Sequence, residues 1–388
     1  MKLAVLKGNR FNPWHLRAFN SLRGDPGVTA FRAESEVQRR FRERDDGAFS
    51  FDLEPIYFDT DAGNILERYR NRISARFFDR EPQIVPFHDR LAVFDLVQSW
   101  ELFTDWTAEA IEAREKYGVP LALMIWDNIP FNMERNPKRR HMKERAAAIA
   151  DRFLVHTERS RRTLDMEGVP SDRIVQINPG VDTAVFSPGT GDRARFGLRD
   201  DEFVILFVGW LLPRKGIDFL ILALRELVHD PSLRDYRFRL MVVGEGPGKD
   251  RVEELVRRVE LGDHCTFIGS FPYGEMPVAF RSADAFVLPS IATTEWQEQF
   301  GMSLIEAMAC GIPVVSTYSG AIPEITGDAA LLCQPNDFVS LYEALKELAG
   351  DSTLRAELST KGRARAVERF ELQQFADALS DVYESMLS

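Results

Sequence analysis

Cysteine, long apolar runs and net positive charge are what this 388-residue chain has little of. Its three cysteines, Cys265, Cys310 and Cys333, stand far apart and form no CxxC pair. A disulfide framework is therefore not expected, and a reducing cytoplasm fits. The six histidines, His15, His88, His141, His156, His229 and His264, show no ligand spacing. Neither a structural zinc site nor any other resident metal or cofactor is expected. A net charge of -11 argues against general nucleic-acid binding while leaving room for a local basic patch. The apolar stretch Met1 to Leu6 is cut short by Lys7 and Arg10. A membrane span needs about 20 apolar residues, so neither a span nor a signal peptide is expected there.

What the chain does have is alternation. Its length favours two domains of roughly 150–200 residues each. In the second half Phe203 to Val208 is a continuous apolar run, as expected for a strand covered on both faces. A loop from Gly209 to Gly216 follows. Then Ile217, Leu220, Ile221, Leu224, Leu227 and Val228 recur at helical spacing. Leu240–Val243, Ala285–Leu288 and Pro313–Ser316 read as further strands. Strand, loop and helix in repetition predict a parallel sheet wound with helices. The first half alternates less cleanly, with strands expected at Leu3–Leu6, Phe94–Gln98, Leu121–Trp126 and Phe153–His156. The charged segment Phe31–Phe51 resists assignment. "NPGVDTAVFSPGTGD", Asn178 to Asp192, suits a linker. The first domain is expected to run over 1–185 and the second over 186–370. The last segment, 371–388, is amphipathic through Leu372, Phe375, Leu379, Val382, Tyr383, Met386 and Leu387. It is expected to cross back onto the first domain.

Two constellations suggest chemistry. In "VGWLLPRKGID", Val208 to Asp218, a buried strand delivers a glycine loop, two cations and a helix N-terminus. Free N–H groups and the helix dipole there favour an anion. Arg214 and Lys215 add full charge suited to a diphosphate. The plainer reading is a turn whose cations are solvated. The second is "EQFGMSLIEAMACG", Glu298 to Gly311. Gly301 lets a backbone approach a ligand closely as the loop enters a helix. Glu306 falls among Ile305, Ala307 and Met308, where an unpaired carboxylate is costly and the vicinal hydroxyls of a ribose would satisfy it. Glu298, before the helix, suits the hydroxyls of another sugar. The plainer reading makes both surface acids at a helix N-terminus.

The run from Glu298 to Glu306 matches the E-x7-E pattern of retaining glycosyltransferases, and the chain resembles glycosyltransferase family 4. "INPGVDTAVFSP", "VGWLLPRKG", "VVGEGP", "FIGSFPYGEMPVAFRSADAFVLPS", "EAMACGIPVV" and "SGAIPEIT" fall in that family's order. The resemblance is continuous from about Asp151 to the C-terminus and weak before it. It implies the GT-B fold: two facing Rossmann-like domains with parallel sheets, the second holding a nucleotide sugar. It also implies retaining, metal-independent transfer of a hexosyl group from a nucleoside-diphosphate sugar to a glycan, lipid or small-molecule hydroxyl.

Carried over by position, Lys215, with Arg214 beside it, contacts the donor diphosphate and Glu298 the sugar. Gly209 and the N–H groups around Phe300, Gly301 and Met302 help hold sugar or phosphate, Glu306 takes the ribose, and Ser270 or Phe271 lies by the base. Two positions depart from the family. Trp210 stands where an arginine is usual. Trp126 and Asp127 stand where a histidine is often found on the sugar and acceptor side, and Asp127 suits either that polar contact or a helix cap. Gly8, in the loop Lys7 to Pro13, is a candidate for close approach to donor or acceptor. The DxD at Asp59–Asp61 is out of context for a metal. The basic run Glu134–Arg145 is either a solvated helix face or a weak contact with the inner membrane face. The alternatives are a glycoside phosphorylase or sugar-phosphate synthase on the same fold, and a sugar-nucleotide-binding protein without activity.

Overall fold

The structure, a computed structural model, describes residues 1–8, 16–33, 50–58 and 84–388. Asn9 to Pro13, most of the charged segment after Ala33, and the DxD at Asp59–Asp61 lie outside these residues. The chain forms two compact units, Met1–Asn178 with Gln373–Ser388, and Pro179–Leu372.

The first unit is a parallel sheet of β1 (Lys2–Gly8), β2 (Gly27–Ala33), β3 (Asp52–Ile56), β4 (Leu96–Trp100), β5 (Leu121–Ile125), β6 (Arg152–Val155) and β7 (Ile174–Gln176), ordered β3-β2-β1-β4-β5-β6-β7. Besides the chain's last helix, its described α-helices are α1 (Asp105–Tyr117), α2 (Pro137–Ile149) and α3 (Glu158–Met166), each begun by a side chain that accepts from one of the orphan N–H groups of the first turn. Thr104 caps α1, Asn136 caps α2 with proline following, and Thr157 caps α3. β4 begins two residues later than expected. Asp95 is drawn into ending the preceding turn, where its N–H donates to the Lys2 carbonyl and its carboxylate accepts from the Lys2 N–H.

The second unit contains β8 (Glu202–Val208), β9 (Arg237–Val243), β10 (Cys265–Gly269), β11 (Ala285–Leu288), β12 (Val314–Thr317) and β13 (Ala330–Cys333), ordered β10-β9-β8-β11-β12-β13, all parallel. Its helices are α4 (Ile217–His229), α5 (Lys249–Arg258), α6 (Met276–Arg281), α7 (Met302–Ala309), α8 (Ile322–Thr326), α9 (Phe338–Gly350) and α10 (Ser352–Arg369). Counted along the chain, each sheet grows outward from its first strand in one direction and then, from its fourth strand, in the other. The reversal lies between β1 and β4 in one unit and between β8 and β11 in the other. Loops leaving the carboxyl ends of such a pair diverge and leave a crevice, the usual ligand position in open α/β sheets.

Residues 179–185, expected with the first domain, pack in the second unit. Val181 N–H donates to the Phe370 carbonyl and Leu372 N–H donates to the Val181 carbonyl. Thr183 donates its hydroxyl to the Glu371 carboxylate. A Cβ at Gly180 would meet the Leu372 Cα at 2.5 Å, so only glycine lets the two backbones run this close.

The last helix, α11 (Leu372–Leu387), has all but its first residue in the first unit. Phe375, Leu379, Val382 and Tyr383 are buried as the amphipathic pattern requires, whereas Leu387 is exposed. The Tyr383 hydroxyl donates to Gln98 Oε1 on the buried face of β4, and the Arg23 N–H donates to Ser380 Oγ at 3.0 Å. A buried acceptor left without its donor costs about 1–2 kcal/mol. Tyr383→Phe is therefore expected to lower the stability of the first unit by that amount in denaturant titration. Leu387→Ala should change it by less than about 0.5 kcal/mol. An unchanged midpoint for Tyr383→Phe would show that Gln98 finds another donor.

Candidate functional site

The loops at the reversal point of the second sheet are locked together through their backbones. β8 ends at Val208, and the chain runs through Gly209 into a single 3-10 turn, Pro213–Lys215. Gly216 has φ +70°, and a Cβ there would sit 1.9 Å from the Pro289 carbonyl oxygen just past β11. Ile291 N–H donates to the Arg214 carbonyl at 3.0 Å. The glycine expected to end a phosphate loop is thus also required by the neighbouring strand's exit.

This clasp brings Lys215 to Glu298. Lys215 Nζ donates to both carboxylate oxygens, at 2.8 and 3.1 Å. Ser290 Oγ donates to Glu298 Oε2 at 2.5 Å. Glu298 is only 5% exposed, so its charge depends on these donors. Its backbone is held just as closely from the loop after β12. Glu298 N–H donates to Ser319 Oγ, Ala321 N–H donates to the Glu298 carbonyl, and a Cβ on Gly320 would lie 2.0 Å from that carbonyl oxygen. The indole of Trp296 covers both cations, 5.0 Å from Arg214 Cζ and 5.4 Å from Lys215 Nζ. Such contacts favour the charged heads where they stand. Trp296 carried no signal in the sequence, because a lone tryptophan in a polar loop has none.

Phe300 is fully buried, edge-on to Phe370 at 5.8 Å between centroids. Gly301 follows at φ +86° and begins α7 with no side-chain cap. The helix start between Gly301 and Met302 is therefore a place where backbone amides meet whatever occupies the crevice. Glu306 lies in the second turn of α7 and is 5% exposed, so the surface-acid reading fails for it as it does for Glu298. Trp210, by contrast, stands 52% exposed at the mouth of the β8 loop.

At the next strand exit, Ser270 follows Gly269, which has φ +74°. Ser270 N–H donates to Glu245 Oε1 at 3.3 Å, and Leu211 N–H donates to the Glu245 carbonyl. Glu245 thereby ties the exits of β8, β9 and β10 together. It was visible in the sequence within "VVGEGP" but was not singled out. Phe271 packs its ring on Phe196 at 5.5 Å with the Arg195 guanidinium over it.

In the first unit the predicted residues lie at the carboxyl ends of β1 and β5. Gly8, at φ +69°, has the indole of Trp106 where a Cβ would be, at 2.0 Å. Its lack of a side chain thus serves packing inside the unit. Trp126 meets His156 edge-on at 4.3 Å. Asp127 is buried, accepting from Ile129 N–H and Asn132 Nδ2, and caps a turn rather than a helix. The end of the basic run is compensated. Lys143 is buried with Nζ 2.6 Å from Glu167 and 3.0 Å from Glu134, and Arg145 pairs with Glu112 and Glu115. Among the described residues no group of three or more His, Cys, Asp or Glu side chains is arranged to hold a metal.

The family model described as "Glycosyl transferases group 1" matches residues 190–365, within the unit that carries Lys215, Glu298 and Glu306. A D-inositol 3-phosphate glycosyltransferase of Saccharomonospora viridis is 31% identical over 296 residues, 71% of this chain and 67% of that one. The chain belongs to the group 1 glycosyl transferases. A second such relative, the D-inositol 3-phosphate glycosyltransferase of Acidothermus cellulolyticus, is 31% identical over 300 residues. The match covers 71% of this chain and only 64% of the relative's length. In fold, this glycosyl transferase is similar to HepE of Anabaena, solved in complex with UDP. The TM-score is 0.78 at 18% identity, with 99% of this chain and 100% of HepE covered.

The pair can be tested without a substrate. Removing Lys215 takes the ammonium away from a buried carboxylate, which costs roughly 2–3 kcal/mol after allowance for the partly exposed lysine. Lys215→Met is expected to destabilise by that amount, and adding Glu298→Gln to recover at least half of it in a double-mutant cycle. Additive losses would mean that the two side chains do not depend on each other.

Proposed function

We propose that this chain is a retaining glycosyltransferase that moves a hexosyl group from a nucleoside-diphosphate sugar to an acceptor hydroxyl, with fixed cations in place of a metal ion. The observation that carries this reading is the Lys215–Glu298 pair, seated where the strand order of the second sheet reverses and beside the uncapped start of α7. Family membership supports the reaction class. The HepE structures, solved with UDP and with UDP and glucose, support the donor class.

In this reading the ion pair is a placeholder. An arriving diphosphate takes over the Lys215 ammonium, together with Arg214 and the amides of Gly301 and Met302, while the Gly209 N–H stays with the Val243 carbonyl. Glu298, still held by Ser290, turns its freed oxygens to the sugar hydroxyls. Buried Glu306 accepts from the ribose, and the backbone at Ser270 and Phe271 meets the base. The bond from the anomeric carbon to the phosphate oxygen then breaks, and its electron pair leaves with the diphosphate. Lys215, Arg214 and the helix start meet the growing charge without reorganising. The acceptor oxygen bonds to the same face of the anomeric carbon, and its proton passes to a phosphate oxygen. Arg214 supplies the second cation that Trp210 lacks. Trp126 and Asp127 belong to the sugar and acceptor side.

Nucleotides are the first test. Of UDP, GDP and ADP, at least one is expected to raise the melting temperature in proportion to its affinity. No shift with any of them would count against the donor site. With the nucleotide sugar so identified, Glu298→Gln should cut turnover roughly 100-fold while nucleotide binding persists. Wild-type rates in that variant would remove Glu298 from the mechanism.

The acceptor side also supports a weak contact with an anionic lipid surface. Among the described residues no helix is long and apolar enough to cross a membrane. Phe131 and Met133, 55% and 38% exposed, project from the loop before α2, beside exposed Arg135, Lys138 and Arg140. Each cation near such a surface contributes about 1 kcal/mol. Co-sedimentation is expected with phosphatidylglycerol vesicles and not with phosphatidylcholine vesicles, and Phe131→Ser with Met133→Ser should weaken it about tenfold. Equal sedimentation with both lipids would end this reading.

A further inference from the structure

The first unit has an acid that the mechanism above does not use. Glu101 is the first residue past β4, at the reversal point of that sheet. Its backbone has φ +61°, a left-handed conformation that a side-chain-bearing residue adopts only when its surroundings impose it. Its N–H still donates to the Met124 carbonyl on β5 at 3.0 Å, and Thr107 Oγ1 donates to its carbonyl at 2.7 Å. The cost in backbone energy aims the side chain across the exit of β5. There the Glu101 carboxyl group accepts from Trp126 N–H at 3.0 Å and from Asp127 N–H at 3.4 Å. One carboxyl group thus spans two successive amides of the turn that carries Trp126 and Asp127.

We propose that Glu101 is a positioning residue: its carboxyl group sets the shape of the Trp126–Asp127 turn, and a negative charge on it releases that turn. The groups facing it make the charge costly. Asp127 approaches from the exit of β5, Lys143 from α2 and Glu167 from beyond α3, and all three share with Glu101 the lining of a cavity of about 10 Å³, room for about one water. Lys7, from β1, acts on Glu101 from further off, its Nζ lying over the Trp100 ring at 4.3 Å. His156, from the exit of β6, is against Trp126 and buried, which holds it neutral down to about 4.

Glu101 and Asp127, in one small cavity, do not both ionise readily. Burial raises the acid of Asp127 as well, but Asn132 Nδ2, Ile129 N–H and Lys143 oppose that rise, so it is the better seat for the charge. Glu101 then keeps the proton. Burial first, and Asp127 second, push its acid up to about 8, against the opposing pull of the Trp126 and Asp127 amides. The folded-state value lies above that of the unfolded chain. The stability linked to this proton is therefore complete below the ordinary carboxylate range and is lost as pH rises through about 8.

This proposal rests on Trp126 and Asp127 lining a substrate site, but its main test does not need a substrate. Hydrogen exchange of the Trp126 and Asp127 amides would be followed in the full chain at about pH 6.5 and about pH 9, corrected for intrinsic rates. Wild type is expected to lose protection roughly tenfold between the two, Glu101→Gln, with its one acceptor oxygen, to protect one of the two amides equally at both pH values, and Glu101→Ala to lack protection at both. The same loss in wild type and Glu101→Gln, or full protection in Glu101→Ala, would overturn the proposal. With UDP-glucose as the probe, an alkaline fall in turnover near pH 8 should be present in wild type and absent in Glu101→Gln. If UDP-glucose is not turned over, that counts against it as the donor, while the exchange result still decides the role of Glu101.

Discussion

A single carboxylate, nearly removed from water and held by the Lys215 ammonium and the Ser290 hydroxyl, organises the second unit. Taking Glu298 out of water costs several kcal/mol, and the attraction of Lys215 offsets this only if the geometry is close. The surrounding backbone supplies that closeness. Gly216 lies against the Pro289 carbonyl, Gly320 lies against the Glu298 carbonyl, and Ser319 bridges Glu298 N–H to the Ile291 carbonyl. Three loops from three strands are thus fixed to one another before any ligand arrives. A site preorganised in this way spends little binding energy on rearrangement.

The sheet explains why these loops meet. Because β8 is followed outward by β9 and β10, and β11 lies on its other side, the exits of β8 and β11 are adjacent although 77 positions separate Val208 from Ala285. The same order in the first unit sets the exits of β1, β4 and β5 side by side and lets Glu101 reach the turn after β5. The two sheets use their reversal points differently. One gathers cations around a buried acid, and the other gathers acids around a buried turn.

The strands that were legible in the sequence are the central ones. β1, β4, β5, β6, β8, β9, β11 and β12 are covered on both faces and read as apolar runs. The four outermost described strands, β3, β7, β10 and β13, were missed. A strand at an edge needs less apolar surface, and "CTFIG" at β10 is partly exposed along its whole length. β2 was missed for another reason: its end merges into a charged segment that obscures the alternation. The site was legible in the same uneven way. Lys215, Glu298 and Glu306 stood out because charge among apolar neighbours needs a reason. Trp296 and Glu245 did not, because each lies in a loop where its residue type is ordinary, whereas Glu101, between Trp100 and Leu102, carries the same kind of signal as Glu306.

The sequence by itself determined that two wound parallel sheets would form, which residues would line their cores, and which loop would carry the paired cations and which the paired acids. Those properties follow from local spacing and from the cost of burying charge, both readable along a single chain. Only the tertiary structure decided that Lys215 would hold Glu298, that Gly8 would make room for Trp106, and that Lys143 of a seemingly solvated basic run would be buried between Glu134 and Glu167. Each of these depends on the distance between segments far apart in sequence, which is set by strand order and loop closure rather than by any residue's own preference.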